Sequence, residues 1–411
     1  MSKSGAPHVR PQGFPVADGC LQVGGMPLTR LAARVGSTPF YAYDRRLLTQ
    51  RVMQLRAALP AGIHLHYSVK ANPMPALVQH MAGLVDGCDV ASAGELKVAL
   101  DTPLDPGAIS FAGPAKGDAE LAQAIAAGVT ISLESEREAE RAAAIGESLG
   151  IQPRVLLRIN PEFEMKSSGM RMGGGAKQFG LDAEQAPRVL RRLGGLGLAF
   201  LGLQIFSGSQ SLKAEAIVQA QVCTFELALR LAEHAPGPIA TLNIGGGFGI
   251  PYFPGDAPLE LAPIADNLSH WLPRVAAGLP EARVVLELGR YLVGEAGVYV
   301  TRVVERKVSR GQVFLLTDGG MNHHLAASGN LGQVIRKNYP VAIGNRMDSP
   351  EREIASVAGP LCTPLDLLAD RMELPCAETG DLVVVFQSGA YGLSASPTGF
   401  LGRAVAAEVL V

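Results

Sequence analysis

The chain has few of the features that mark a disulfide-rich, metal-binding or membrane protein. Its five cysteines are scattered, odd in number and without a Cys-x-x-Cys pair, so no disulfide framework and no metal site are expected. The longest apolar run, 193–206, is interrupted by Gln204 and is too short to span a bilayer. The first residues also lack the apolar core of a signal peptide. We therefore expect a soluble, reduced, cytoplasmic protein.

The sequence also lacks an excess of charge of one sign. Its formal net charge is −2 at pH 7. A protein whose main partner is a nucleic acid or an anionic membrane usually carries a strongly basic surface. Neither kind of partner is therefore expected here.

Apolar residues are abundant, and their pattern predicts the fold. Hydrophobic residues make up 47% of the 411 positions, which is enough for a large core and predicts two domains. Between residues 40 and 290, apolar β-type runs alternate with helical stretches, which indicates parallel strands with crossover helices. Eight runs in about 250 residues favour a (β/α)₈ TIM barrel over an open sheet. The runs are Ile63–Val69, the run ending at Val90, Ile109–Phe111, Val129–Ser132, Val155–Asn160, Ala199–Phe206, Ala240–Ile244 and Arg283–Leu288.

The C-terminal third has a different pattern of predicted elements. It is rich in β-type runs and has fewer helical stretches between them, at 298–304, 312–316, 352–357 and 381–386. This pattern predicts an antiparallel β-domain over 291–411. The N-terminal segment 1–39 contains β-like pieces such as 21–23 and is expected to join that domain. The barrel is then expected to span 40–290.

Lys70 is the leading candidate for a catalytic residue. It lies between the β-rich run and an Asn-Pro turn, at the expected mouth of the first barrel strand. Buried there, its ammonium would lose solvation, and a neutral amine can form a Schiff base with an aldehyde. Taken alone, a lysine in this setting is more often a solvated loop residue. Its interpretation depends on the loops that follow the other strands, because these converge on the same face of a barrel.

Those loops carry groups that suit a phosphate-bearing aldehyde such as pyridoxal 5'-phosphate (PLP). Gly245, Gly246 and Gly247 follow the seventh strand, where barrels often bind phosphate through backbone N–H groups. Ser209 follows the sixth strand and adds a hydroxyl donor. The motif 287–290, at the end of the eighth strand, contributes Glu287, Gly289 and Arg290. A carboxylate there could hold a pyridine nitrogen protonated, and Arg290 could pair with phosphate or a substrate carboxylate. The ordinary alternatives are a flexible loop and a buried ion pair.

Two further candidates lie in the predicted β-domain. Cys362 follows Gly359 and Pro360, and Tyr391 lies on a loop flanked by glycines. A lone cysteine is more often a small core residue, and a lone tyrosine is more often a packing residue.

As an ordered set, the motifs resemble the fold type III PLP-dependent decarboxylases, the family of diaminopimelate and ornithine decarboxylases, whose barrel is alanine racemase-like. The resemblance covers nearly the whole chain. Its motifs are 67–72, 89–96, 158–161, 208–210, 245–249, 287–290, 359–362 and 389–391.

The resemblance implies a role for most candidates. Lys70 would be the Schiff-base lysine, and Glu287 would be the partner of the pyridine nitrogen. The phosphate would be surrounded by Ser209, Gly246, Gly247, Arg290 and Tyr391, and Gly245 and Gly289 would also belong to the cofactor-binding residues. Cys362 would act from the neighbouring subunit as a proton donor to the decarboxylated carbon. The resemblance also implies a head-to-tail homodimer with active sites at the subunit interface.

Departures from the family pattern bear on the substrate. Phe206 stands where family members usually place a histidine over the cofactor ring; phenylalanine can stack but cannot hydrogen-bond. Thr363 replaces the acid that usually recognises the distal amino group of diaminopimelate or ornithine. Arg158, in the motif 158–161, is a further candidate on the substrate side. These changes argue against a free diamino acid as the substrate.

The run 318–330 is similar to a branch that includes exosortase A-associated proteins and decarboxylases of aminoacyl groups on an acyl carrier protein. An acyl carrier protein is therefore a candidate partner. Three other interpretations stay open: a diaminopimelate decarboxylase of lysine synthesis, an amino-acid racemase on the same fold, and a non-catalytic PLP carrier. A racemase would need a second base, typically a tyrosine, and small PLP carriers consist of the barrel alone.

Overall fold

The chain divides into two compact units. The computed structural model describes residues 8–9, 11, 13–164, 170–171, 173–333 and 335–411. The first unit consists of the described residues up to Gln50 together with 251–257 and 292–411, and the second consists of 51–250 and 258–291. The pattern of apolar runs predicted boundaries at 39/40 and 290/291. The first boundary differs because Phe40–Tyr43 is a strand of the first unit.

Eight parallel strands among the described residues of the second unit close into a barrel, as predicted. Closure is made by the fourth and fifth strands, which pair from Thr130↔Arg154 to Leu133↔Leu157. A short strand, Leu181–Asp182, pairs with the carboxyl end of the fifth barrel strand. In order, the barrel strands are Ile63–Ser68, Gly87–Val90, Ile109–Phe111, Thr130–Leu133, Arg154–Asn160, Ala199–Ile205, Thr241–Gly246 and Arg283–Leu288. All eight predicted runs are therefore barrel strands.

The strand period places polar side chains inside the barrel. In the first strand, Leu65 and Tyr67 alternate with His64, His66 and Ser68, and successive side chains of a strand point to opposite faces. Leu65 and Tyr67 are buried. The other face carries the hydrogen-bonding residues, which bond to side chains on neighbouring barrel strands. The interior of the barrel is consequently a polar, hydrogen-bonded core.

Helices follow the barrel strands, and their ends are capped by local groups. Ser92 Oγ accepts from the N–H of Glu95 at 3.2 Å, and Ser135 Oγ accepts from the N–H of Glu138 at 3.1 Å. Such caps satisfy amide groups that have no partner within the helix. The helices are Arg45–Ala58, Pro75–Ala82, Ala93–Leu100, Asp118–Ala127, Glu136–Leu149, Ala186–Leu193, Ala214–Ala232, Ala262–Gly278 and Arg290–Val293. No helix among the described residues is both long and apolar enough to span a membrane.

The first unit is built on β-strands around the helix Leu28–Val35. Its core includes Leu28, Phe40, Val298 and Val384, all fully buried. Beside the small sheet Val16–Ala17, Cys20–Val23 and Met26–Pro27, the strands are Phe40–Tyr43, Gly297–Ser309, Gln312–Thr317, Val341–Ile343, Arg352–Ala358, Leu367–Pro375, Leu382–Val385 and Ala407–Leu410.

The prediction that this β-domain is antiparallel is wrong in two places, and the sheet is mixed. Gln312–Thr317 pairs parallel with Arg352–Ala358, and Ala407–Leu410 pairs parallel with Phe40–Tyr43. The alternation of apolar and polar residues has the same period in both kinds of sheet, so it does not specify strand direction. Direction is decided by which distant strands become neighbours.

Candidate active site

A buried carboxylate, Glu287, lies at the end of the eighth barrel strand and is held by three donors. Ser68 Oγ donates to Oε1 at 3.2 Å, while Gln204 Nε2 and Asn243 Nδ2 donate to Oε2 at 3.0 and 3.3 Å. The donors come from the first, sixth and seventh strands. Burial and the nearby Asp89 carboxylate raise the pKa of Glu287, against the opposing effect of the Lys70 and Arg158 cations. A positively charged group bound beside Glu287 would favour its anionic form.

Lys70 lies in a short 3₁₀ turn, Val69–Ala71, directly after the first strand. Its Nζ is 5.7 Å from the centroid of the Phe206 ring. Gly289 closes on the same turn: a Cβ at that position would lie 2.8 Å from the Cβ of Ala71. The expectation of a buried lysine is not met, because the Lys70 side chain is exposed. The amine is therefore accessible to an incoming aldehyde.

The glycine-rich segment after the seventh strand packs closely against the elements beside it. Gly245 has φ +67°, and a Cβ there would lie 2.8 Å from Cδ2 of Phe206. Gly247 has φ +80°. A Cβ on Gly246 would clash with the backbone carbonyl of Glu287. Glycine is required here because the backbone takes a left-handed conformation and approaches its neighbours closely.

Two other predicted phosphate-side residues lie at the same end of the barrel. Ser209 is half-buried and forms, with Gly208, a short strand that pairs with Met170–Arg171. Arg290 is half-buried and begins the helix Arg290–Val293, immediately after the eighth strand. Both follow the carboxyl ends of barrel strands, the face on which barrel enzymes place their chemistry.

Arg158, predicted on the substrate side, is buried in an ion pair. Its Nη1 donates to Oε1 of Glu134 at 2.6 Å, and its guanidinium lies 5.0 Å from the centroid of the Phe179 ring. Glu134 also accepts from the N–H groups of Gly113 at 2.7 Å and Gly180 at 2.6 Å. Arg158 therefore joins the ends of the fourth and fifth strands to the loop that carries Phe179.

The residues of the barrel unit fit PLP. The accessible amine of Lys70 lies near the Phe206 ring. The buried carboxylate of Glu287 is held by hydrogen-bond donors, which favour its charged form when a cation binds beside it. A glycine segment with space only for backbone adjoins both. These groups match the aldehyde, ring, pyridine nitrogen and phosphate of that cofactor.

Comparison with known proteins agrees with this geometry. Residues 45–294 match the family described as pyridoxal-dependent decarboxylase, pyridoxal binding domain. The chain belongs to the pyridoxal-dependent decarboxylases. It is accordingly a PLP-dependent lyase of the ornithine, arginine and diaminopimelate decarboxylase family, as the motifs indicated.

Relatives of two different specificities are similar to this decarboxylase over most of its length. The L-glutamyl-[BtrI acyl-carrier protein] decarboxylase of Niallia circulans is 37% identical over 93% of this chain and 90% of the relative. The diaminopimelate decarboxylase of Aquifex aeolicus is 32% identical over 96% of this chain and 91% of the relative. The crystal structure of diaminopimelate decarboxylase from M. jannaschii in complex with L-lysine has a TM-score of 0.87 at 25% identity, over 98% and 93% of the two chains.

The remaining predicted site residues lie in the first unit. Cys362 is exposed, and Thr363 and Tyr391 are half-buried. Cys362 and Thr363 share a loop that is shaped by Asp366, which accepts from the N–H groups of Leu361 at 2.8 Å and Met321 at 2.6 Å. The cysteine is therefore a surface residue of a well-ordered loop and not the small core residue that is the ordinary expectation for a lone cysteine.

Several residues that shape the site were not predicted from the sequence. Ser68, Gln204 and Asn243 hold Glu287, and Glu134 holds Arg158. One signal could have identified them: each is a polar residue within or directly after an otherwise apolar strand. Inward-facing positions near the carboxyl ends of barrel strands form the active site in this fold.

Proposed function

We propose that this decarboxylase removes the α-carboxylate of an aminoacyl group carried on an acyl carrier protein. The observation that carries the proposal is the chemistry of the Cys362 loop. Thr363 has no charge, and its Oγ1 accepts from the N–H of Leu365 at 3.3 Å. The carboxylate of that loop, Asp366, is 2% exposed and already accepts from two backbone N–H groups. The loop offers no free carboxylate to the ammonium of a diamino acid.

The relative of Niallia circulans supports the same substrate class, since it is named for its action on a glutamyl group attached to a carrier protein. Tethering removes the need to recognise the far end of the substrate by charge, because the carrier itself delivers it. A neutral residue at position 363 suits such a substrate.

Each residue has a proposed task. Lys70 would bind the cofactor through its aldehyde. Glu287 would hold the pyridine nitrogen protonated, and Phe206 would lie beside the ring. The phosphate would be held by Ser209, the glycines 245–247 and 289, Arg290 and Tyr391, and Cys362 would supply a proton to the substrate carbon. When bound, PLP supplies the electron sink that lets CO2 leave.

The proposal includes a homodimer in which the Cys362 loop completes the active site of the partner subunit. Several large apolar side chains are exposed on this loop or close in sequence to Asn330 and Arg403, which donate hydrogen bonds to its backbone carbonyls. Large apolar side chains that are exposed near one loop are often buried by another protein surface. The side chains are Leu331, Ile335, Leu365, Phe400, Leu401 and Val405. A cytoplasmic location remains a prediction.

A second candidate substrate is free diaminopimelate. It is favoured by the relatives named diaminopimelate decarboxylase, one of which is 32% identical over 96% of this chain. Under this alternative, a group other than residue 363 would bind the distal ammonium.

The test is CO2 release from the PLP-loaded enzyme with each of several substrates. Free diaminopimelate, ornithine, lysine and glutamate are compared with glutamyl-carrier protein. We expect release from the tethered substrate and at least a hundredfold slower release from the free amino acids, with no release by Lys70→Ala. Rapid release from free diaminopimelate would reject the carrier proposal while leaving the family unaffected.

A variant separates the role of Thr363 from the overall preference. Thr363→Asp restores a carboxylate at the position where the family usually has one. We expect this variant to gain activity on free diamino acids and to lose activity on the tethered substrate. Thr363→Val serves as the neutral control and should gain nothing. An unchanged preference in Thr363→Asp would show that residue 363 does not set specificity.

A further inference from the structure

A histidine and an aspartate form a pair inside the barrel, on the first two strands, where His66 pairs in register with Glu287 of the eighth strand. His66 Nδ1 lies 3.1 Å from Oδ2 of Asp89, and Ser110 Oγ donates to the other oxygen of Asp89. The three residues lie on the first, second and third strands. Asp89 is 3% exposed in its side chain and His66 is 14% exposed. The pair has no part in the reaction as described above.

The exposed edge of His66 faces a cavity at the opposite end of the barrel from Lys70. The cavity has a volume of about 70 Å³, which is enough for a few water molecules. Its lining includes the first residues of the fourth, fifth, seventh and eighth strands, which places it at the amino-terminal ends of the strands. His66 therefore borders this cavity as well as the Asp89 carboxylate.

Two buried carboxylates share the interior of this barrel. Asp89 pairs in register with Ser68, and Ser68 donates to Glu287. Two carboxylates in one low-dielectric site resist simultaneous ionisation, and one of them takes up a proton unless a cation compensates. Lys70 follows the first strand, on the cofactor side of the barrel. His66 is the cationisable group in direct contact with Asp89.

We propose that His66 is a positioning residue that carries a positive charge and holds Asp89 as an anion, so that Glu287 remains the carboxylate that pairs with the pyridine nitrogen. Without that charge the two acids would share a proton, and Glu287 would be partly neutral. A neutral Glu287 would hold the ring proton less well, and the cofactor would bind more weakly. The inference depends on PLP binding and not on the identity of the substrate.

The groups around His66 agree with a charged ring. Although burial opposes it, Asp89 raises the pKa of His66, with smaller contributions from Glu287 and Asp86. His64, two residues earlier on the same face, differs: burial lowers its pKa, and Arg283, His66 and Arg56 act in the same direction against Asp86. The two histidines share one strand face and one cavity but differ in their contact with a buried carboxylate.

His64 therefore provides a matched control for a variant of His66. His66→Gln keeps an amide donor toward Asp89 but cannot carry a charge, and His64→Gln makes the same change at the neighbouring site. The readout is the dissociation constant of PLP, measured by absorbance titration of the cofactor-stripped enzyme at pH 7.5. We expect His66→Gln to weaken binding about tenfold, or about 1.4 kcal/mol, and His64→Gln to change it less than twofold. Equal effects of the two variants would overturn the proposal.

A double-mutant cycle separates charge compensation from packing. In an Asp89→Asn background there is no second anion to compensate, so adding His66→Gln should weaken PLP binding less than twofold. A tenfold loss in both backgrounds would show that His66 acts only through packing, and the proposal would fail.

A measurement on the unaltered protein covers the case in which His66→Gln does not fold. In ¹⁵N-histidine-labelled holoenzyme at pH 7.5, the ring nitrogens of His66 should show the chemical shifts of a doubly protonated imidazolium. Assignment comes from the loss of signals in Asp89→Asn, which removes the partner. A neutral His66 ring in the holoenzyme would contradict the proposal.

Discussion

Three side chains from three barrel strands meet at the two oxygens of Glu287, so this single carboxylate is fixed before any cofactor binds. A carboxylate held by preformed donors need not reorganise when charge develops beside it, which is how enzymes stabilise charged states most effectively. Ser68, Gln204 and Asn243 thus act by holding Glu287, and Lys70 Nζ lies 5.7 Å from the centroid of the Phe206 ring.

Gly245 provides a test at this scale. In Gly245→Ala, the added methyl group would meet Cδ2 of Phe206 at 2.8 Å, and the residue would keep a φ of +67°. We expect a loss of about 1–2 kcal/mol in stability from the backbone conformation. Displacement of Phe206 should weaken PLP binding about tenfold. Thermal unfolding and PLP titration measure the two effects.

Gly237→Ala is the matched control for that variant. A Cβ at Gly237 meets no atom within 4 Å, and its backbone conformation is open to any residue. Its stability and PLP affinity should equal those of the parent. A Gly245→Ala variant that binds PLP normally would show that the position of Phe206 does not matter for the cofactor.

At the scale of elements, Glu134 joins three separate segments of the barrel unit. It accepts from Arg158 at the end of the fifth strand, from the N–H of Gly113 after the third strand, and from the N–H of Gly180 in the following loop. These three contacts are cooperative, because the loss of any one of them leaves a buried charged or polar group without its partner. The position of Phe179 over Arg158 depends on this junction.

Glu134→Gln should break the junction. The variant loses the charge that compensates Arg158 and presents an amide donor toward backbone donors, which leaves buried groups unsatisfied. Breaking one partner of a buried pair costs about 3–5 kcal/mol, so we expect a loss of about 3 kcal/mol in the free energy of unfolding. Urea unfolding monitored by circular dichroism measures it.

Glu140→Gln is the control for this prediction. It removes a carboxylate paired with Arg192, both about half exposed. Exposed ion pairs contribute little, so the loss should stay below about 1 kcal/mol. If the two variants lost the same stability, burial of the Glu134 pair would not be the reason for its importance.

At the scale of the whole molecule, a buried neutral histidine makes stability depend on pH. His324 is fully buried, and its Nδ1 accepts from the N–H of Ala327 at 3.2 Å, so Nε2 carries the proton toward Ser388 Oγ at 2.9 Å. A second proton would break the bond to Ala327. Burial lowers the pKa of His324 to about 3. The unfolded chain binds this proton from about pH 6.5 downward, so stability falls as the pH drops from there toward 3.

Between pH 7.5 and pH 5 we expect His324 to lower the free energy of unfolding by about 2 kcal/mol, because pH 5 lies one and a half units below the pKa of this histidine in the unfolded chain. His324→Gln cannot take up the proton. Over the same interval its free energy of unfolding should therefore fall by about 2 kcal/mol less than that of the parent. Urea unfolding at the two pH values measures the difference. His270→Gln, at an exposed position, is the control and should follow the parent. Equal pH dependence in all three proteins would contradict the prediction.

The proposed dimer makes a prediction at the same scale. Ile335 is 77% exposed near the Cys362 loop, so Ile335→Glu should place a charge in the interface and yield monomers without decarboxylase activity. Met53→Glu, at another apolar position that is 65% exposed, should remain a dimer with full activity. Sedimentation velocity gives the mass of each. A monomeric and active parent enzyme would reject the shared active site.

The fold and part of the site followed from local patterns. All eight barrel strands lie where the apolar runs indicated, because alternation of strands and helices is encoded within short stretches of chain. Lys70, the glycine segment and Glu287 lie at the strand ends where the sequence placed them, because their spacing relative to those ends is also local. Phe40–Tyr43 was assigned to the barrel but pairs with Gly297–Val300, since an isolated apolar run does not specify its neighbours.

The sequence by itself thus determined the barrel and, through its motifs, the cofactor class. Tertiary structure alone decided that Lys70 is exposed, that the second sheet is mixed, and that Arg158 is paired with Glu134. It also brought Ser68 to Glu287, 219 residues away, and His66 to Asp89. The physical reason is that strand and turn preferences act over a few residues, whereas these contacts form between side chains that only the closed barrel makes neighbours.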